Sequence, residues 1–323
     1  MATPSLAMIP SGYKATKLYS VLPNTAVGDF DVSRPSGTGG FNATRVNKSG
    51  LIEEVAANVP RLDYTDGGCP VLLTEPQSRN DYLNSQAMVT QSVTTTASTY
   101  TVSFYGTGTI TFSGTYTGSL VGTGANDLVQ LTFTATAGSL VSTVSGTVDE
   151  AQCEKLSYAT SRIRTLGSAV TRNADVINNA GDVNTFNDSE GVLYAEIANI
   201  GNDTGIISLN DGSNSNTVAI YYFSTDKIAF DIIHNSITIV GDISGYNIFD
   251  FNKIALKYKS GDIALWVNGV EVITKTNNIS LNGLTNLDFR YGNSSFPFYG
   301  KTKDLRVYNT ALTDAELATL TTL

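Results

Sequence analysis

Surface chemistry needs an acid, a base, a nucleophile or a metal ligand, and this chain supplies few in useful patterns. Its only histidine is His234, in AFDIIHNSITIV. A Ser-His-Asp or Cys-His arrangement would have to use it. Asn235 and Ser236 follow as a turn pair, so His234 reads as a turn or surface residue at a strand end. Hydrolysis across two carboxylates needs a pair flanking one bond, which a strand provides by placing acids at alternate positions. No E-x-D-x-E pattern occurs. Glu190 and Glu196 come nearest to it, and only Glu196 lies inside an alternating run, while adjacent Glu53 and Glu54 face opposite sides of a strand. Cys69 and Cys153 are far apart and form no C-x-x-C, which disfavours a disulfide framework and a thiolate metal site alike. GTGTITFSG has no lysine at phosphate-loop spacing. Catalysis is not expected.

Binding is better provided for. RYGNSSFPFYG (290–300) gathers Tyr291, Phe296, Phe298 and Tyr299 with amide and hydroxyl groups. That mix suits planar, hydrogen-bonded ligands, and Tyr291, Asn293, Phe296 and Tyr299 are the candidate ligand residues. The competing reading is an apolar contact with a sister subunit. Calcium wants six to eight oxygens, and the loops GNDTG (201–205), LNDGSNSN (209–216) and GDISGYN (241–247) offer them. None follows the EF-hand order, and Asx-Gly clusters are also ordinary turn chemistry. Asp211 is the first choice as a calcium ligand. Trp266, the sole tryptophan, lies opposite Ile263, Leu265 and Val267 with Ala264. A strand apolar on both faces is usually central, so packing is expected there rather than sugar stacking.

The elements that must carry these residues are strands. At 323 residues the chain exceeds the ~150 typical of one domain, so two or three modules are expected. Charged residues are 15% against about 25% on average, with Thr, Ser, Asn and Gly in their place. The net charge of −9, with no Lys/Arg cluster, argues against a nucleic-acid partner and an anionic membrane surface. No signal peptide is visible and no apolar run is long enough to insert in a membrane, so synthesis in a reducing cytoplasm is expected.

Residues 1–80 hold seven of the eight prolines and SRPSGTGGFNATR. Proline removes a ladder donor, so this stretch reads as an extended docking arm, dispensable for folding of the remainder. Residues 81–156 alternate strongly: TYTVSFYG places Tyr100, Val102 and Phe104 on one face and Thr101, Ser103 and Tyr105 on the other. With turns every few residues, this predicts a small β-sandwich. Residues 157–185 lose the alternation and read as a connector. Residues 186–323 contain ten strand candidates without helical periods between them, which predicts an antiparallel jelly roll. Asn268-Gly269 supplies a type I′ hairpin turn, and Thr313 with Glu316 a capping box for one closing helix. The fold class is therefore all-β.

The stretch ATRVNKSGLIEEVAANVPRLDYTDGGCPVLLTEPQSRN (43–80) is similar to a segment near the N-terminus of phage tail and virion-surface proteins. SYATSRIRTLGSAVTRNADV (157–176) looks like the linker such proteins carry after a small carbohydrate-binding-like sandwich. The run from NKIALKYK to LTDAELATL resembles the laminin-G-like, concanavalin-type jelly roll. The resemblance implies a fibre, spike or head-fibre subunit located on the virion. It implies attachment to other virion proteins through the arm, self-association as a homotrimer, and a lectin-like head for a host surface glycan. The alternative it allows is a purely structural decoration, vertex or tail protein. The middle module departs from the pattern: LNSQAMVTQSV stands where relatives carry a longer, Trp-containing lead-in, which puts sugar binding by that module in doubt.

Overall fold

The computed structural model describes residues 2–323. It is nearly all β, with a single α-helix, Asp314–Thr321, among the described residues. The chain forms two compact units, each assembled from separated stretches. One unit comprises Met1–Ser33, Asn58–Thr74 and Asp175–Leu323, and the other Arg34–Ala57 and Glu75–Ala174.

The first unit is a jelly-roll sandwich. Its larger sheet runs Val270–Lys275, Ile263–Val267, Asn252–Lys259, Glu190–Asn199, Gly300–Tyr308, Val71–Thr74, Arg61–Asp63, with Leu6–Met8 also paired to Gly300–Tyr308. The facing sheet runs Ile237–Ser244, Lys227–His234, Asn216–Phe223, Gly205–Asn210, Asn286–Asp288. All these pairings are antiparallel. Successive strand side chains point to opposite faces, so Leu193, Ala195 and Ile197 enter the shared core with Leu256, Leu305, Ile220 and Phe230. The alternate residues Val192 and Tyr194 meet a second cluster with Trp266, Leu312, Leu317 and Leu320, where the closing helix packs on the outside of the larger sheet. Central strands are thus apolar on both faces because both are covered. Trp266 is packed there, at 7% exposure. The hairpin turn and the capping box form as expected: Asn268 and Gly269 both take positive φ, and Thr313 and Glu316 cap each other.

The second unit is the small sandwich. A four-stranded sheet (Gln91–Thr95, Gly138–Ser145, Thr109–Gly114, Gly118–Val121) stands with a three-stranded one (Gly124–Ala135, Ser98–Gly106, Asp149–Glu154). Tyr100, Val102 and Phe104 fill its core with Phe112, Phe133 and Leu140. Thr101 and Ser103, on the opposite face, are buried as well. A polar layer covers them. Arg162 donates to the Ser103 hydroxyl at 3.0 Å and the Glu150 carbonyl at 3.1 Å. Glu154 accepts from Ser78 Oγ at 2.6 Å and Thr160 N at 3.0 Å, and Arg172 pairs with Glu75 at 2.7 Å. Buried charges are costly unless paired or hydrogen-bonded, and most donors and acceptors of this layer are so engaged, the Arg172 Nε excepted.

The expected division at residues 80, 156 and 185 differs from this arrangement. Residues 1–80 are not a free arm: Leu6, Met8, Leu18, Phe30, Val32, Leu62 and Leu72 are members of the jelly-roll core. Residues 34–57 and 75–80 belong instead to the second unit. The prolines interrupt strands without preventing them, because pieces of three or four residues fit between them. The connector is likewise divided, with Ser161, Arg162 and Ile163 buried or half-buried in the second unit and Val176–Asn178 paired to Phe30–Ser33 in the first.

Candidate functional site

The loop 290–299 is held against the five-stranded sheet by backbone and hydroxyl contacts. Ser208 donates to the Arg290 carbonyl at 2.6 Å. Phe289 N donates to Ile177 O at 3.1 Å, and Phe298 N to Phe289 O at 2.8 Å. Thr74 Oγ1 donates to Phe298 O at 3.0 Å and accepts from Gly300 N at 3.2 Å. Two glycines permit the close approach: a Cβ on Gly205 would lie 2.9 Å from Phe298 Cα, and one on Gly292 2.2 Å from Ser213 O. These contacts give the loop a defined shape.

Beneath it lies a cavity of about 190 Å³ lined by Thr74, Asp175, Val176, Ile177, Phe289, Arg290, Ser294, Pro297, Phe298 and Tyr299. This is smaller than the 300–1,000 Å³ of drug-sized pockets and amounts to about six waters at ~30 Å³ each. Its charged groups differ in status. Asp175 is ion-paired to Arg61, and both side chains are nearly inaccessible. The Arg290 guanidinium makes no hydrogen bond or ion pair among the described residues, and its Nε is buried without a partner. Asp288, two residues along, attracts it without touching it. Burial raises the Asp288 pKa, while bonds from Asn179 N (2.6 Å) and Asn210 Nδ2 (3.1 Å) occupy its oxygens. The cavity thus offers unused guanidinium donors beside hydroxyl groups and apolar walls.

Of the four ligand candidates only Tyr291 and Phe296 are brought together. Tyr299 lines the cavity. Tyr291 is buried on the outer face of the sheet with Ile206 and Ala219, and its hydroxyl donates to Asp231. Burial and that carboxylate push the Tyr291 hydroxyl well up. Tyr221 donates to the other oxygen of Asp231 at 2.8 Å, so the carboxylate clamps two tyrosines. Phe296 is 55% exposed, edge-on to Tyr291 at 6.2 Å. Asn293 turns its side chain back on its own loop, accepting from Ser295 N at 3.0 Å, and its backbone N donates to Asn214 at 3.1 Å. Reading for aromatics missed Arg290, although it opens the same loop. The sequence carried no signal for it, because Asp288 two residues earlier stands at the spacing at which Asp304 and Arg306 do pair, and only the fold shows that Asp288 turns to Asn179 and Asn210 instead.

Asp211 shapes a turn. Its carboxylate accepts from Ser213 N (2.9 Å), Ser213 Oγ (2.7 Å) and Asn216 Nδ2 (2.9 Å). Partial burial works against ionisation, yet these bonds hold its pKa below the usual value. No group of three or more His, Cys, Asp or Glu able to hold a metal occurs among the described residues. His234 ends its strand before a left-handed Asn235-Ser236 turn, as expected, but it is buried rather than at the surface, and neither ring nitrogen has a partner. Both cysteines are free: Cys69 is exposed, and Cys153 is buried with its thiol pushed up by burial and by nearby Asp81 and Glu154.

A comparison with curated protein sequences gives no match. Among solved structures, the Ruminococcus gnavus IT-sialidase CBM40 bound to α2,3-sialyllactose is 16% identical. The alignment covers 44% of this chain and 91% of that one, with a TM-score of 0.38. A leech intramolecular trans-sialidase is 19% identical over 42% of this chain and 23% of its own length, TM-score 0.35. A heptameric SAP-like pentraxin from Limulus polyphemus is 16% identical over 40% and 68%, TM-score 0.34. Residues 193–318 match the concanavalin A-like lectin/glucanases superfamily, and this part of the chain is a domain of that fold.

Proposed function

We propose that this chain is a non-catalytic virion subunit of the tailed-phage type, a fibre, spike or head-fibre protein whose jelly roll attaches to a host surface glycan. The observation that carries the binding role is the preformed cavity under loop 290–299, where hydroxyls and unused guanidinium donors meet apolar walls. Pockets that fix a ligand with a few placed polar groups have this character. The virion assignment rests on the sequence resemblance of residues 43–80 and 157–176. Contacts to other virion proteins through residues 1–80 would then be made by an ordered surface rather than a free tail. A homotrimer would multiply weak sites into useful avidity. A purely structural role is the second reading, favoured by Ile237 and Val240, which are exposed on the edge strand Ile237–Ser244 and suit a subunit contact.

The test is binding of the full chain, displayed in clusters, to envelopes of candidate bacterial hosts and to arrays of their glycans. Saturable, glycan-competed binding is expected. A folded, clustered chain that binds no envelope or glycan while sedimenting with particles would give the role to the structural reading.

A further inference from the structure

Arg290 is the charged group of the cavity that has no hydrogen bond or ion pair. Asp175 shares the lining, but Arg61 neutralises it from a buried position. Asp288 lies near, yet its oxygens accept from Asn179 and Asn210 and it forms no ion pair with Arg290. A buried donor without a partner costs free energy that a folded protein seldom accepts without compensation by an ion, water or ligand. Guanidinium donors form a planar fork matched to the paired oxygens of a carboxylate or the face of a sulfate. Ser294 and Tyr299 stand on the same lining with Phe298 and Pro297, so an anionic group entering here meets hydroxyls on one side and apolar surface on another. The volume admits such a group with part of the ring that bears it, not a whole oligosaccharide.

We infer that the cavity under loop 290–299 takes the carboxylate or sulfate substituent of an acidic sugar, with Arg290 as its principal partner. This rests on the reading of the jelly roll as a glycan-binding head and specifies the class of glycan. Sugars without an anionic group offer the half-buried guanidinium no charged partner and leave its buried Nε unanswered, so the site favours acidic sugars over them. Attraction by Asp288 competes with the ligand and keeps single-site affinity weak.

The experiment titrates the full chain with glucuronate, glucose 6-sulfate, inorganic sulfate and glucose, by calorimetry and by ligand-observed NMR at low salt. Binding of an acidic sugar, tighter than inorganic sulfate, with none for glucose, is expected. In Arg290→Gln the affinity for the acidic sugar should fall about ten- to a hundredfold, the range for hydrogen bonds to charged groups. Arg290→Lys, which keeps the charge but loses the fork, should retain part of it. Unchanged thermal melting of both variants establishes that they fold. Equal affinity of wild type and Arg290→Gln, binding of sulfate alone as an adventitious ion, or no binding of any anion overturns the inference. The two readings fail separately. Acidic-sugar binding without envelope binding sinks the attachment role and keeps the site. Envelope binding that Arg290→Gln leaves intact sinks the site and keeps the attachment role.

Discussion

Replacing Asp175 by Ala tests whether residues 58–74 are structural members of the jelly-roll unit. Asp175 pairs with Arg61 on the strand Arg61–Asp63, and the two side chains are 2% and 0% exposed. Without the carboxylate, the Arg61 charge stays buried, and breaking a buried pair from one side typically costs about 3–5 kcal/mol. For a unit of about 200 residues each kcal/mol moves the melting midpoint by about 2–4 °C, so a drop of roughly 6–20 °C is expected. Trp266 makes the assay selective. It is the only tryptophan, it is buried, and it belongs to this unit, so its fluorescence reports this transition and not that of the small sandwich. Calorimetry should show the sandwich transition in place. A double variant, Arg61→Met with Asp175→Leu, removes both charges and should recover most of the loss. A single variant whose tryptophan transition moves by less than about 2 °C would refute the reasoning, because a dispensable arm predicts that result.

Deleting residues 1–80 should give an aggregating chain, since it removes seven core side chains from one unit and Glu75 and Ser78 from the polar layer of the other; a soluble fragment with a cooperative melt would contradict this. Thr313→Ala should cost about 1 kcal/mol through loss of the helix cap, read by urea denaturation with Trp266 fluorescence, and no loss would mean the helix does not cover Trp266 in solution. His234→Leu should be neutral or stabilising in the same assay, because the imidazole is buried with no hydrogen bond to lose, whereas a loss above about 1 kcal/mol would reveal a partner. Calcium at Asp211 is tested by melting with chelator and with excess Ca²⁺: no shift is expected, because Ser213 and Asn216 already occupy the carboxylate, and a midpoint that rises with calcium would establish a site.

The sequence by itself determined the local features. Alternation showed that Tyr100, Val102 and Phe104 share one face of Ser98–Gly106, because strand side chains alternate with a period of two. Asn268-Gly269 and the Thr313/Glu316 box set a hairpin and a helix start, because their signals lie within four residues. The loop 290–300 was visible as a binding candidate from its residue types. What only the tertiary structure decided is who meets whom. Leu6–Met8 pairs with Leu305–Val307, about as far apart as the chain permits, and ladder hydrogen bonds come from backbone groups that carry no residue identity. Strands of three residues are too short to show a period, so the first 80 residues looked like an arm and proved to be strands of two interleaved units. His234 is buried, and Tyr291 is committed to Asp231, for the same reason. Whether Arg290 has a contact partner depends on Asp175, Arg61, Asn179 and Asn210, all distant in sequence, and that arrangement matters because the Arg290 Nε is buried where water does not replace a missing partner.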